Sequence, residues 1–196
     1  MKVSELMVGY TPSNTFEGFA TNDDWVLAVG INLAENATER DYTVVQLGIG
    51  GLDPQMNPVT QDKQYIRTGT STTKTGTQRT FAISGDRYIG DPFQDFCFSL
   101  DIAYGVGQKV IVPYVYFSVL TGKGEKGTAS IIVNSDGGGN AGENSAISID
   151  LRSVGTKPTE YTYNGSSAGL RRSEHELQGD YPGQVLRPAR PDAGGG

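Results

Sequence analysis

TQRTFAISGDR, residues 77–87, alternates in period two: Arg79, Phe81 and Ile83 share one face, and Gln78, Thr80, Ser84 and Asp86 share the other. One apolar face and one wet face is the signature of a half-buried β-strand. Gly85 is expected to end the regular run. Asp91 is placed as an N-cap and Pro92 suits the first helical position. Phe93, Phe96, Cys97, Leu100 and Tyr104 then recur at helical spacing, which predicts one amphipathic helix stopped by Gly105 and Gly107. KVIVPYVYFSVL, residues 109–120, follows as a strand. No other stretch reads as a helix, so the remainder is expected to be β or loop.

On the N-terminal side, residues 1–22 are polar with scattered aromatics (Tyr10, Phe16, Phe19) and read as an arm with little core of its own. Residues 25–33 predict a strand with Trp25, Leu27, Val29, Ile31 and Leu33 on the core face. AENATERD is a turn or a short helical turn, and residues 42–49 predict a second strand through Val45, Leu47 and Ile49. GGLDPQMNPVTQD, residues 50–62, has the prolines and Asp/Asn content of a loop. Residues 63–68 read as a short strand, and TGTSTTKTG, residues 68–76, as a protruding loop or hairpin tip.

On the C-terminal side, TGKGEKG is a glycine-rich turn into TASIIVNSD, where Ala129, Ile131 and Val133 face inward. GGGNAGEN connects it to SAISIDLRS, with Ile147, Ile149 and Leu151 opposite Ser148, Asp150 and Arg152. EYTYN, residues 160–164, closes the domain as a last short strand. Residues 165–196 lose all periodicity and read as a tail. The division is therefore an arm at 1–22, a β domain at 23–164 and a tail at 165–196. Its class is α+β but mainly β: an antiparallel sandwich or bent barrel with one flanking helix.

Bulk composition narrows the function. Gly, at 27 of 196 residues, is about twice its usual share and signals many turns. The net charge is −6, and residues 1–164 hold 18 acids against 12 bases, which accounts for all of it. Such a domain does not hold nucleic acid by neutralising phosphates, although it would let nucleic acid slide past. The single Cys97 excludes an intrachain disulfide and reads as a small apolar core filler. Residues 1–14 carry no signal-peptide or membrane-span pattern, so a reducing cytosol is the expected site of synthesis, and the Asn36-Ala37-Thr38 sequon has no role there.

Catalytic and ligand-binding patterns are weak. GKGEKGT, residues 122–128, lacks the lysine and following helix of a phosphate loop and is better read as a hairpin turn. Asn134, Asp136, Asn140 and Glu143 offer oxygens but miss the spacing of a calcium loop. Asp86, Asp91, Asp95 and Asp101 do not converge as an acid–base pair, and His175 stands apart from any nucleophile. Arg171, Arg172, Arg187 and Arg190 are a basic scatter next to Glu174, Glu176 and Asp180, which suits a neighbouring subunit better than nucleic acid. No enzyme activity and no cofactor is expected.

Three stretches, WVLAVGINLAENATERDYTVVQLGI (25–49), TGTSTTKTGTQRTFAISGDRYIGDPFQDF (68–96) and YVYFSVLTGKGEKG (114–127), with the closing EYTYN, resemble the major tail tube proteins of long-tailed, siphovirus-like bacteriophages of Gram-positive hosts. The resemblance implies hexameric rings, each subunit lending four strands to a barrel around a channel, with the rings stacked into a tube. Twenty-four strands about 4.8 Å apart and tilted about 45° give a circumference near about 160 Å and a bore of about 40 Å, wide enough for duplex DNA. It implies a virion tail assembled in the host cytoplasm, with a tail terminator, a tape measure and distal tail proteins as partners, DNA in transient passage and no membrane contact. The expected lumen residues are Gln78, Thr80, Ser84, Asp86, Ser148, Asp150 and Arg152, with Thr128, Ser130 and Asn134 as further candidates. Thr70, Ser71, Thr72, Thr73 and Lys74 are the expected contact between rings, alongside the arm, the 50–62 loop and the tail. The alternatives are the inner tube of a contractile tail or injection particle, and a monomeric β-sandwich binding or decoration module. The latter needs an exposed aromatic platform, and Trp25 is read as core.

Overall fold

A computed structural model describes residues 1–164. His175, the arginines from Arg171 onward and the expected tail lie outside the described residues. Among the described residues nine strands are present: β1 (Trp25–Val29), β2 (Thr43–Val44), β3 (Ile49–Gln55), β4 (Pro58–Tyr65), β5 (Gly69–Thr77), β6 (Thr80–Asp86), β7 (Ile111–Ser118), β8 (Lys123–Ser135) and β9 (Ala146–Thr162). Seven of them form one antiparallel sheet in the order β2-β1-β7-β8-β9-β6-β3, while β4 and β5 pair only with each other. Three short α-helices accompany them in the described residues, α1 (Val3–Leu6), α2 (Pro92–Cys97) and α3 (Leu100–Ala103), with single 3-10 turns at Asn22–Asp24, Glu39–Asp41 and Gly107–Val110.

The sheet curls into a half-barrel. Two strands separate β6 from β7 in the ladder, so their like-facing side chains would stand about 14 Å apart on a flat sheet. Yet the Phe81 ring lies 5.1 Å from both Tyr114 and Tyr116. The concave side is filled by Leu27, Phe81, Ile83, Tyr114, Ile149 and Leu151, and Phe93, Cys97 and Ile102 of the helices lie in the same cluster. The fold is thus mainly β, as expected, and of the two expected forms it is the bent one: a single curled sheet carries the core.

Several expectations change. The 92–104 helix is broken at Phe98–Ser99: the Ser99 hydroxyl donates to Phe96 O at 2.7 Å and the chain restarts as α3. In the second piece only Ile102 stays in the core, while Leu100, 75% exposed, and Tyr104, 82% exposed, face solvent. β1 is buried on both faces: Leu27 and Val29 join the main core, and Val26 and Ala28 join a second cluster with Val3, Met7, Val115 and Phe117. Val3 and Met7 of the expected arm are therefore core, and α1 is a helix absent from the sequence reading. Trp25 is 36% exposed and stacks on Tyr116 at 5.1 Å, so it sits at the margin of the core. Leu33 is also exposed.

The expected strand at 42–49 shrinks to Thr43–Val44, with Leu47 exposed, while the expected loop at 50–62 becomes β3 and β4. The two expected strands at 145–153 and 160–164 are joined in one strand, β9, with a bulge in which residues 155–158 face only Gly127: Thr128 of β8 opposes Val154 and Lys126 opposes Thr159. Gly155 at φ +79° begins that bulge, a conformation other residues rarely adopt. Gly85 does not end β6. A Cβ there would lie 2.1 Å from Gly48 O, so glycine permits the close approach of β3 at its bulge.

Candidate assembly surfaces

Side chains alternate across β3, β6, β9 and β8, so the face opposite the core can be read directly from the register. One row runs Gln55, Thr80, Arg152, Ser130; the next Asp53, Ala82, Asp150, Ile132; the third Gly51, Ser84, Ser148, Ser135. Asp86 stands beyond them opposite Ala146. Three acids (Asp53, Asp86, Asp150) against one base (Arg152) leave this surface at −2.

The sequence-derived residues fall in different surroundings. Ser84, Asp86 and Arg152 are exposed, and Ser148 and Asp150 are half-buried. Arg152 Nη2 donates to Asp150 Oδ2 at 2.9 Å, a pair within one strand that mutes both charges. Asp86 Oδ2 accepts from Asn144 Nδ2 at 3.0 Å. Thr80 departs from the expected wet face: it is 5% exposed, with Asn57 Nδ2 donating to its hydroxyl at 2.9 Å, because the chain crosses over it between β3 and β4. Gln78 lies outside the four-strand ladder, where its N–H donates to Asn57 O at 3.2 Å. Asp53 and Gln55 belong to the face but were missed, since Asp53-Pro54 carries a turn signal. Pro54 is tolerated here because β3 is the sheet edge.

The second surface is the β4–β5 hairpin, which continues the β3–β6 ribbon away from the sheet. Thr70, Ser71, Thr72, Thr73 and Lys74 oppose Gln64, Lys63, Asp62, Gln61 and Thr60 along it. Every residue of β4 is exposed, and in β5 only Gly76 is partly covered. Eight residues of β4 give an arm about 26 Å long. Its root is fixed to the sheet: Ser153 N–H donates to Arg79 O at 2.8 Å, and Arg79 Nε donates to Glu125 Oε1 at 2.7 Å. Above this anchor, a groove of about 720 Å³ lined by Met56, Lys74, Gln78, Glu125, Gly155 and Lys157 separates the arm from β9.

Behind the sheet, Asp91 Oδ2 accepts the Gln94 N–H at 3.0 Å, capping α2. Gln94 is buried and its Nε2 donates to Leu47 O at 2.7 Å, tying the helix to the turn before β3. Burial pushes the Cys97 thiol up, away from the reactive thiolate. Among the described residues no group of three or more His, Cys, Asp or Glu could hold a metal, and the Asp136–Glu143 loop spends Glu143 on Asn140. The turn from β7 into β8 lies at 119–122; the 123–128 part of the expected glycine-rich turn is already strand β8, paired to β7, with no helix behind it.

No family model and no curated protein matches this chain. Among solved structures, it is similar to a chain in the tail of an empty GTA particle solved by helical refinement with C6 symmetry: 12% identity over 74% of this chain and all of that one, with a TM-score of 0.50. A chain of the native gene transfer agent virion (12% identity, 74% and 100% covered, TM-score 0.46) and one of the anti-feeding prophage cap, a tube-terminating cap (9%, 76% and 95%, 0.47), are weaker likenesses and carry no weight. At 12% identity what is shared is the fold, a curled antiparallel half-barrel with few helices.

Proposed function

We propose that this chain is a tail tube subunit, a structural virion protein that closes into six-membered rings and stacks them into the tube of a phage-like tail. The carrying observation is the polar face spanning four adjacent strands, β8, β9, β6 and β3, opposite a packed core. A face that is wet, mildly acidic and not phosphate-binding suits the wall of a DNA channel. The C6 symmetry of the GTA tail whose chain shares this fold supports the ring number.

Strand edges supply a closing mechanism. β3 ends the ladder on one side, and β8 continues past Ser130, where its pairing with β7 stops. Four is an even number, so antiparallel alternation continues when β3 of one subunit meets the β8 overhang of the next. Pro54 offers only an acceptor, which leaves residues 49–53 to make that ladder. Ring stacking falls to the β4–β5 arm, whose Thr70 to Lys74 segment is exposed on every residue.

The non-contractile, long-tailed type and a Gram-positive host follow from the sequence resemblance; a sheath gene beside this one would move the assignment to a contractile tube. The partners are further copies of the chain, a tail terminator, a tape measure and distal tail proteins, with DNA in transit, no membrane contact and assembly in the host cytoplasm before incorporation into the virion tail. A monomeric binding module is disfavoured, because one face of Trp25 is occupied by Tyr116. Negative-stain microscopy of concentrated protein tests the reading: rings or tubes with a central bore are expected, and single particles at every concentration would sink it.

A further inference from the structure

The tip of the arm carries Ile66, 92% exposed, beside exposed Tyr65. A two-stranded hairpin is marginal in water on its own, and uncovered apolar side chains at its end make it a binding element. A matching feature lies at the other end of the same ribbon. β6 ends at Asp86, and Tyr88 and Ile89 (83% exposed) follow. This loop is held firmly: Tyr88 N–H donates to Gln94 Oε1 at 2.8 Å, and Arg87 bridges Tyr88 O and the Asp95 carboxylate.

The charges are complementary. Lys63 and Arg67 flank the tip against Asp62, while Asp86 and Asp136 follow the ends of β6 and β8 at the far end, where Arg87 is engaged with Asp95. Lengths also agree. The arm extends about 26 Å along its strands, and the stretch of β8 from Ser130, level with Thr80, to Lys123 extends about 23 Å. A tip of that reach just clears its own subunit and meets the far end of the one stacked above.

Resting on the tube reading, we infer that the Tyr88–Ile89 loop with its acidic rim is the acceptor for the Tyr65–Ile66 arm tip of a second copy in the next ring. The contact is heterologous, tip to loop, so it propagates along the axis without closing.

The test uses the full chain with Ile66→Asp and Ile89→Asp made separately. Both positions are exposed, so unchanged melting is expected, with rings formed but no long tubes. Mixing the two variants in equal amounts leaves one intact tip and one intact loop, so pairs of stacked rings and nothing longer are expected; long tubes from the mixture would overturn the assignment. If Ile89→Asp polymerises like the parent while Ile66→Asp does not, the acceptor is wrong and stacking by the arm survives. If Ile66→Asp also gives normal tubes, the arm itself has no stacking role. A double Ile66→Cys, Ile89→Cys variant adds a positional readout, because the native Cys97 is fully buried. Oxidised tubes should give a covalent ladder on a non-reducing gel that neither single variant gives, and tubes without that ladder refute the contact.

Discussion

Arg79 Nε stands 2.7 Å from Glu125 Oε1, joining the root of the arm to β8 across the intervening β9. The guanidinium also lies 4.7 Å above the Phe81 ring and 5.2 Å from that of Tyr116, and Tyr114 donates its hydroxyl to the same carboxylate oxygen at 3.4 Å. Both charges are largely covered, so removing one leaves the other poorly solvated. Arg79→Ala is expected to cost about 2–3 kcal/mol in chemical denaturation, with Glu125→Ala similar and the double variant less than additive by about 1 kcal/mol. Strict additivity would show that the pair does not hold the curl.

Replacing residues 58–77 with a short turn should leave the half-barrel folded, because the arm contributes no buried residue to either core cluster. Melting within a few degrees of the parent is expected, together with loss of long tubes. A collapse of the melting transition would assign the arm to the fold.

Ser84→Lys combined with Ser148→Lys places two cations on adjacent strands of the polar face. Tubes built from this variant should retain duplex DNA at low salt and release it as salt rises, since phosphate contacts exchange with counterions. The parent should retain none. Lysine-bearing tubes that ignore DNA would show that this face is not the bore.

Burial beside Phe117 pushes the Tyr161 hydroxyl up from 10.0 to about 12. A group whose pKa is raised by folding keeps its full contribution below the unfolded value and loses it as pH rises toward the folded one. Stability should therefore fall between about pH 10 and pH 12, by about 1–2 kcal/mol from this residue. Tyr161→Phe should show a shallower fall in denaturant midpoints over that window. An unchanged profile would mean that the hydroxyl is not protected.

Local chemistry alone settled a good part of this molecule. Period-two alternation at 80–86, 129–133 and 146–152 depends only on the pleat, and each stretch lies in a strand. Asp91-Pro92 marks a helix start by backbone donors that any helix must satisfy, and Cys97 has the spacing of a core position. The segments that misled are those whose state depends on distant partners. Residues 50–62 carry turn residues but pair because β6 and the arm lie alongside. Val3 and Met7 are buried because β1 and β7 leave an open second face for them. Leu100 and Tyr104 sit at helical spacing behind Cys97, yet the break at Ser99 rotates them into solvent. The sequence by itself determined which stretches alternate and where chains turn, since those follow from neighbours within a few residues. Only the tertiary structure decided which polar residues share a face and which apolar residues remain uncovered, because both depend on how far the sheet curls and which strands the curl brings together.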